Sequence, residues 1–309
     1  MIHVLVARYH SAMHAAGTAR IIDGRALADT ARAELSDRIS RLSEQGLTVR
    51  LDAVIVTGNA AGSVYAASQQ RTCSLLGIDY RLHELPDSVG ADELRSTIER
   101  LNEDPAVHAI MVHLPLPEGL SVDDVQSSIA PAKDVEGVNP ANIGNVIYGR
   151  RSLVPCTALA TMQLIESTGV ELAGRTVVCV GASRIVGKPV AVLLMQAEAT
   201  VVSTNVHTPD LASFTREADI VVTAAGVPGL LTGEMVKPGA VVVDVGINRV
   251  PDPETGRTRT VGDVDFDSVS AVAGWLSPVP GGVGPMTIAC LLRNTLTAAC
   301  RQVGIDETA

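Results

Sequence analysis

Residues 177–194 constrain the fold of this chain more than any other stretch. They begin with the apolar run from Val177 to Val180, pass through small residues, and continue with apolar residues at helical spacing. This order predicts a strand, a glycine turn and a helix. Backbone N–H groups at the start of such a helix can approach a pyrophosphate, because the helix dipole and the unpaired donors favour negative charge.

The spacing of this turn departs from the usual dinucleotide fingerprint. A serine, Ser183, stands where the fingerprint has its second glycine, and the last glycine, Gly187, comes one residue late. The alternative interpretation is an ordinary tight turn between a strand and a helix of a parallel sheet. Taken alone, the motif leaves both interpretations open.

Length and composition favour two α/β domains. The 309 residues suffice for two domains of typical size, and with only 2% aromatic residues the cores must be built from Val, Leu, Ile and Ala. The net charge of −10 argues against a nucleic-acid or anionic-membrane partner. No apolar run is long enough to cross a membrane. The five scattered cysteines lack a CxxC pair, so we expect reduced core thiols, no metal site and a cytoplasmic protein.

Strand and helix patterns alternate along the whole chain, which predicts parallel sheets. Besides the strand at 177–180, strands are predicted at residues 51–56, 80–83, 109–112, 200–203, 220–224 and 240–245. Helices are predicted from near residue 21 to 45 and at residues 63–76, 92–101, 122–129, 157–168 and 286–300. Thr157 is predicted to cap the helix at 157–168.

Residues 278–287 pack three prolines and three glycines into ten positions. With segments 244–249 and 261–264, this loop resembles the bifunctional methylenetetrahydrofolate dehydrogenase/methenyltetrahydrofolate cyclohydrolase family. The resemblance runs from residue 21 to residue 300. Further motifs that carry it are residues 21–24, the segment around Tyr65, the Leu-Pro-Leu-Pro of 114–117, residues 133–135, residues 155–157 and the turn of 181–189.

The resemblance implies two parallel-sheet α/β domains with a cleft between them. A catalytic, folate-binding domain would comprise residues 19–156 plus 285–303, and a Rossmann-like NAD(P)-binding domain residues 157–284. It also implies a homodimer that oxidises 5,10-methylenetetrahydrofolate with NADP or NAD and hydrolyses the methenyl product to 10-formyltetrahydrofolate. By position, the cofactor residues are Gly181, Ala182, Ser183, Arg184, Gly187, Asn205 and Ile247. By position, the folate side is lined by Pro280, Gly281 and Gly282.

The catalytic positions depart from the family pattern. Four residues after Tyr65 the family has a lysine that is expected to move protons during hydrolysis, and this chain has Gln69. The family glutamine before Leu-Pro-Leu-Pro is His113, and the second aspartate of the Lys-Asp-Val-Asp motif, expected to grip the pteridine, is Glu136. Of these four positions only Tyr65 is retained.

These changes bear unequally on the two reactions of the family. A glutamine amide does not titrate near neutral pH, so losing the lysine predicts a cyclohydrolase weakened by roughly 10²–10⁴-fold. Hydride transfer depends mainly on geometry and electrostatics. The first hypothesis is therefore a methylenetetrahydrofolate dehydrogenase with weak or absent cyclohydrolase, in which His113 fills the glutamine's hydrogen-bonding place.

Three other functions stay open. His113 as a relocated base would give a fully bifunctional enzyme. Three changed site residues could instead mark a paralogue that acts on another cyclic amine or imine. A non-catalytic paralogue would keep only the fold and a nucleotide site. The loop of 280–282 and Tyr65 argue against the last two.

The sequence specifies the cofactor weakly. An acid about 20 residues beyond the glycine turn would favour NAD, and an arginine nearby would favour NADP. Residues 203–208 contain neither, and the missing acid favours NADP. Arg184 and His207 are the candidates to meet a 2′-phosphate.

Overall fold

The computed structural model describes residues 19–56, 60–150, 153–251 and 256–305, within which the chain forms a mixed α/β fold. The strands are β1 (Arg20–Ile21), β2 (Arg50–Val56), β3 (Asp79–Leu85), β4 (Ala109–Val112), β5 (Thr176–Val180), β6 (Thr200–Thr204), β7 (Ile220–Thr223), β8 (Val241–Asp244), β9 (Asn248–Pro251), β10 (Thr258–Val261) and β11 (Trp275–Leu276). The helices are α1 (Gly24–Glu44), α2 (Ala60–Leu76), α3 (Ala91–Glu103), α4 (Val122–Ser128), α5 (Pro140–Ile147), α6 (Cys156–Ser167), α7 (Gly187–Gln196), α8 (Leu211–Thr215), α9 (Phe266–Ser270) and α10 (Val283–Val303).

The described strands form two parallel sheets and one hairpin. The larger sheet has the order β1-β11-β8-β7-β5-β6, and the smaller one has the order β3-β2-β4. All pairings within these two sheets are parallel, whereas β9 and β10 pair antiparallel. The predicted fold class is confirmed.

The strands of both sheets can be predicted from the sequence because many of them are buried. Every residue of β4, β7 and β8 is buried. Parallel strands covered by helices on both faces read as continuous apolar runs, not as alternating ones.

The start of the described chain differs from the prediction of a helix from near residue 21. Arg20–Ile21 form β1 and pair with β11, so these residues join the larger sheet. The helix α1 begins only after Asp23, whose carboxylate accepts hydrogen bonds from the N–H groups of Arg25 and Ala26. An aspartate in this capping position satisfies donors that have no partner within the helix.

The predicted cap of α6 is wrong. The helix begins at Cys156, its N-cap is Pro155 with φ −50°, and Thr157 lies inside the first turn. Proline holds φ near the helical value, so Pro155 leads the chain directly into the helix.

The last helix joins the two halves of the chain. It packs against α1 and α6 and touches β2 and β4. The amide of Asn294 on α10 donates to the carbonyl oxygens of Val135 and Val154, each at 2.9 Å. The division into domains, with residues 285–303 assigned to the first one, stays a prediction.

The cysteines are core residues, as predicted. The free, buried thiols are Cys73, Cys156, Cys179, Cys290 and Cys300. Among the residues described, no helix combines the length and the apolarity that a membrane crossing requires.

Candidate active site

The glycine turn between β5 and α7 is built by close backbone contacts. Gly181 has φ +105°, and a Cβ at this position would lie 2.2 Å from the carbonyl oxygen of Ala224. A Cβ at Gly187 would lie 2.0 Å from the carbonyl oxygen of Gly181. Both contacts are shorter than any side chain tolerates, so the turn requires glycine at both positions.

Ser183 explains the departure from the usual fingerprint. Its hydroxyl accepts hydrogen bonds from the N–H groups of Val186 and Gly187, at 3.3 and 3.2 Å. Its carbonyl oxygen accepts from the N–H of Lys188 at 2.9 Å. The Ser183 hydroxyl thus satisfies two N–H groups at the start of α7, which a glycine could not do.

The topology puts this turn at a binding crevice. The strand β5 has β6 on one side and β7 on the other, so the chain reverses its direction of progress across the sheet between them. Ligands of open α/β sheets bind at the carboxyl ends of the strands, at such a switch point. Val227 and Ile247, which follow β7 and β8, are 48% and 70% exposed. Exposed apolar side chains at this edge of the sheet are suited to pack against a bound dinucleotide.

The other predicted cofactor residues have different surroundings. Ala182 is half-buried within the turn. The guanidinium of Arg184 forms an ion pair with Asp123 of α4, which links the turn to the first half of the chain. The Asn205 Oδ1 accepts the N–H of His207 at 2.9 Å and shapes the turn after β6. The cofactor roles of these residues stay predictions.

A buried polar cluster lies where α2, β3 and the end of β4 meet. Its members Gln69, Tyr80 and His113 are 4%, 9% and 5% exposed. The Tyr80 Oη lies 3.2 Å from His113 Nε2 and 3.5 Å from Gln69 Oε1, and the Gln69 amide nitrogen lies 3.0 Å from Met111 Sδ. Tyr80 therefore bridges two predicted catalytic residues. Tyr65 lies on α2 one turn before Gln69, and its side chain is outside the described residues.

This cluster offers hydrogen bonds but no ammonium group. Burial lowers the pKa of His113 below its ordinary value, so its imidazole is neutral at neutral pH. The Gln69 amide does not titrate in this range. Tyr80 could not be identified from the sequence, because β3 carries no motif and the contact forms only when three separate elements meet.

Glu136 lies in the loop beside β4. Burial, and to a smaller extent the neighbouring Asp134, raise the pKa of Glu136 to about 7. A hydrogen bond with the backbone of Val112 acts in the opposite direction and lowers this pKa. The Asp134 carboxylate is itself held by the N–H of Asn139 at 2.7 Å and the amide of Asn142 at 2.9 Å. Glu136 is therefore a carboxyl group that is partly protonated near neutral pH.

Lys133, three residues earlier, has a structural role. Its side chain is 7% exposed, and its ammonium donates to the carbonyl oxygens of Leu101, Asn102 and Asp104 at 3.1, 2.7 and 2.7 Å. These carbonyls belong to the C-terminal end of α3, where they lack helical partners. The Lys133 amine therefore does not substitute for the missing family lysine.

The predicted folate loop packs against the start of α1. Pro280 is exposed, and Gly281 has φ +115°. A Cβ at Gly24 would lie 1.8 Å from the carbonyl oxygen of Gly282. The loop is thus fixed to the start of α1.

Both halves of the chain match known domains. Residues 22–136 match the tetrahydrofolate dehydrogenase/cyclohydrolase catalytic domain, and residues 155–303 match the NAD(P)-binding domain of the same proteins. The chain belongs to the tetrahydrofolate dehydrogenase/cyclohydrolase family. The resemblance inferred from its motifs is confirmed.

Relatives of this family align with nearly the whole chain. The bifunctional protein FolD of Moorella thermoacetica is 46% identical over 283 residues, which cover 92% of this chain and 99% of that protein. The crystal structure of FolD from Campylobacter jejuni has a TM-score of 0.86 at 41% identity, covering 91% and 98% of the two chains. Trypanosoma brucei FolD, solved with NADP and an inhibitor, has a TM-score of 0.87 at 40% identity and covers 93% and 99%.

Proposed function

We propose that this protein oxidises 5,10-methylenetetrahydrofolate to 5,10-methenyltetrahydrofolate with NADP, and that its cyclohydrolase activity is weak or absent. Family membership and the glycine turn support the first half of the proposal. One observation carries the second half. At the position where the family lysine is expected, Gln69 is a buried, uncharged side chain bonded into a cluster with Tyr80 and His113.

Hydride transfer makes modest demands on side-chain chemistry. When bound, the nicotinamide ring would accept a hydride from the methylene carbon, with no obligatory proton transfer by a side chain at that step. The chain supplies the glycine turn and the apolar residues Val227 and Ile247 on the cofactor side, and the loop of 280–282 on the folate side. Holding two reactants in register accounts for a large part of such a rate enhancement.

Hydrolysis of the methenyl product needs proton transfer. A water must attack the methenyl carbon and lose its protons, the bond from that carbon to N5 must break, and N5 must gain a proton, so that the formyl group stays on N10. Gln69 can orient a water, but its amide cannot act as a general acid or base near neutral pH. His113 is buried, and its Nε2 lies 3.2 Å from the Tyr80 hydroxyl. This contact supports the proposal that the imidazole takes the hydrogen-bonding place of the family glutamine.

The relatives favour a second candidate, a fully bifunctional enzyme, because the Moorella and Campylobacter proteins carry that name. In that case His113 or Glu136 would have to move the proton. Glu136 has a pKa of about 7, in the range suited to acid–base work.

NADP is proposed over NAD because residues 203–208, at the end of β6 and just beyond it, contain no carboxylate to repel a 2′-phosphate. The Trypanosoma brucei relative was solved with NADP. On the family resemblance we also propose a cytoplasmic homodimer.

The proposed oxidation is tested by mixing the protein with 5,10-methylenetetrahydrofolate and either NADP or NAD and recording the reduced cofactor. We expect reduction of NADP, at a kcat/KM at least about tenfold above that with NAD. No reduction of either cofactor at millimolar concentration would overturn the proposal. Equal or faster reduction of NAD would overturn the cofactor assignment alone.

A further inference from the structure

Two buried carboxylates lie at the carboxyl edge of the larger sheet. Asp244 is the last residue of β8, and Asp263 follows β10; they are 3% and 0% exposed. They belong to the segments 244–249 and 261–264, in which only Ile247 has a predicted chemical role. Buried charges of this kind persist only when hydrogen bonds compensate them.

The Asp263 carboxylate organises the loop after β7. Its Oδ2 accepts hydrogen bonds from the N–H groups of Ala225 and Gly226 at 2.6 and 3.0 Å. Its Oδ1 accepts from the N–H of Val227 at 3.0 Å and from the amide of Asn248 at 2.8 Å. Three consecutive N–H groups of one loop therefore end on a single carboxylate, which leaves that loop little freedom.

The same loop forms a wall of the cofactor crevice. The carbonyl oxygen of Ala224 packs against the Cα of Gly181, where a Cβ would come within 2.2 Å. The N–H of Ala224 donates to the carbonyl oxygen of Val180 at 2.7 Å. A shift of the loop that Asp263 holds would therefore act directly on the glycine turn.

Asp244 connects this arrangement to the folate side. Its Oδ1 accepts from the N–H groups of Asp263 and Gly246 at 3.0 and 2.9 Å. Its own N–H donates to the hydroxyl oxygen of Ser277 at 2.8 Å. Ser277 immediately precedes the loop that contains Pro280, so the backbone of Asp244 contacts the folate side while its carboxylate holds Asp263.

Glycines bring the backbone close to both carboxylates. A Cβ at Gly246 would lie 2.2 Å from Asp263 Oδ1, and a Cβ at Gly262 would lie 1.8 Å from Asp244 Oδ2. The backbone is thus shaped to these side chains at two independent positions.

We propose that Asp263, held in place by Asp244, is a positioning residue that fixes the loop of 225–227 against the glycine turn and thereby sets the affinity for the dinucleotide. The proposal rests on the proposed function, because the dinucleotide is NADP there. Asp263 acts through the loop and the turn, and need not touch the cofactor itself.

The test compares Asp263→Asn with Asp52→Asn. An asparagine keeps the shape but replaces one of the two acceptor oxygens with an NH₂ group, so at least one N–H group of 225–227 loses its acceptor. We therefore expect the Kd for NADP, measured by calorimetry, to rise at least about tenfold. Asp52 is also 0% exposed but is bonded to Arg50 and His83 in the smaller sheet. Its substitution should lower the melting temperature and leave the Kd for NADP within about twofold of the unmodified protein.

A milder variant covers the case in which Asp263→Asn does not fold. Asn248→Ala removes one donor to Asp263 and should raise the Kd about threefold. A folded Asp263→Asn, or failing that a folded Asn248→Ala, with the unmodified Kd would overturn the positioning role while leaving the proposed function intact. An equal rise in Asp52→Asn would also overturn it, because the effect would then follow from lost stability. Unmodified protein that does not bind NADP would overturn the proposed function together with this inference.

Discussion

Replacing Gln69 by lysine is expected to raise cyclohydrolase turnover at least about tenfold while hydride transfer changes less than about threefold. The lysine returns a titratable amine to the position one helical turn after Tyr65 in α2. In this buried position, desolvation would lower the pKa of the new amine toward the range in which it exchanges protons. The measurement is the rate at which added 5,10-methenyltetrahydrofolate disappears.

The rescue should be partial because the surroundings have also changed. Tyr80 and His113 are bonded to each other beside Gln69, and they would have to rearrange around a charged group. We therefore expect a larger gain from Gln69→Lys combined with His113→Gln, which restores the family pair.

The neighbouring Gln70 provides a matched control. It is exposed on the same helix, so Gln70→Lys adds the same charge outside the cluster and should leave hydrolysis unchanged. Equal rates for Gln69→Lys and Gln70→Lys would contradict the assignment of Gln69 to the lost lysine position. Efficient hydrolysis by the unmodified protein that disappears in His113→Gln would establish His113 as a relocated base.

The second large effect is expected at the glycine turn. Gly187→Ala should weaken NADP binding about a hundredfold or more, because its Cβ would lie 2.0 Å from the carbonyl oxygen of Gly181 and the backbone of the turn must move. Calorimetric titration with NADP measures the effect, and a thermal melt reports whether the variant is folded.

Gly144 on α5 is the matched control for this substitution. Apart from the backbone of its own helix, no atom lies within 4 Å of a Cβ built there, so Gly144→Ala adds the same methyl group to a helix without a clash. We expect unchanged affinity and equal or slightly higher stability, since alanine favours a helix. Unchanged affinity in a folded Gly187→Ala would mean that the turn is only a structural element.

The buried strands of this protein could be predicted from the sequence. The strands β2, β4, β7 and β8 are almost entirely buried. Their apolar runs indicate strands, because strand and helix patterns alternate regularly along this chain. Short or exposed elements could not be predicted in this way. The hairpin of β9 and β10 is mostly exposed and has no apolar alternation.

The helix α5 was missed although its local signals are present. Asn139 caps it by accepting the N–H of Ala141 at 2.8 Å, and Pro140 occupies the first turn. Eight residues provide too short an apolar period to identify a helix from spacing alone.

The site residues divide in the same way. The backbone geometry of the turn requires glycine at particular positions, so these residues can be recognised in the sequence. The roles of Tyr80 and Asp263 depend on contacts between elements far apart in the chain, so no local pattern predicts them. Lys133 belongs to a recognisable motif, but only the structure shows its ammonium bound to the end of α3.

We propose that the methenyl product is released and not hydrolysed. The most direct test follows reduced NADP and 5,10-methenyltetrahydrofolate in one reaction started with 5,10-methylenetetrahydrofolate. We expect both to rise in equal amounts, and the methenyl compound then to decay within about twofold of its rate without protein. Formation of reduced NADP with little methenyl compound, and rapid decay that depends on the protein, would contradict it.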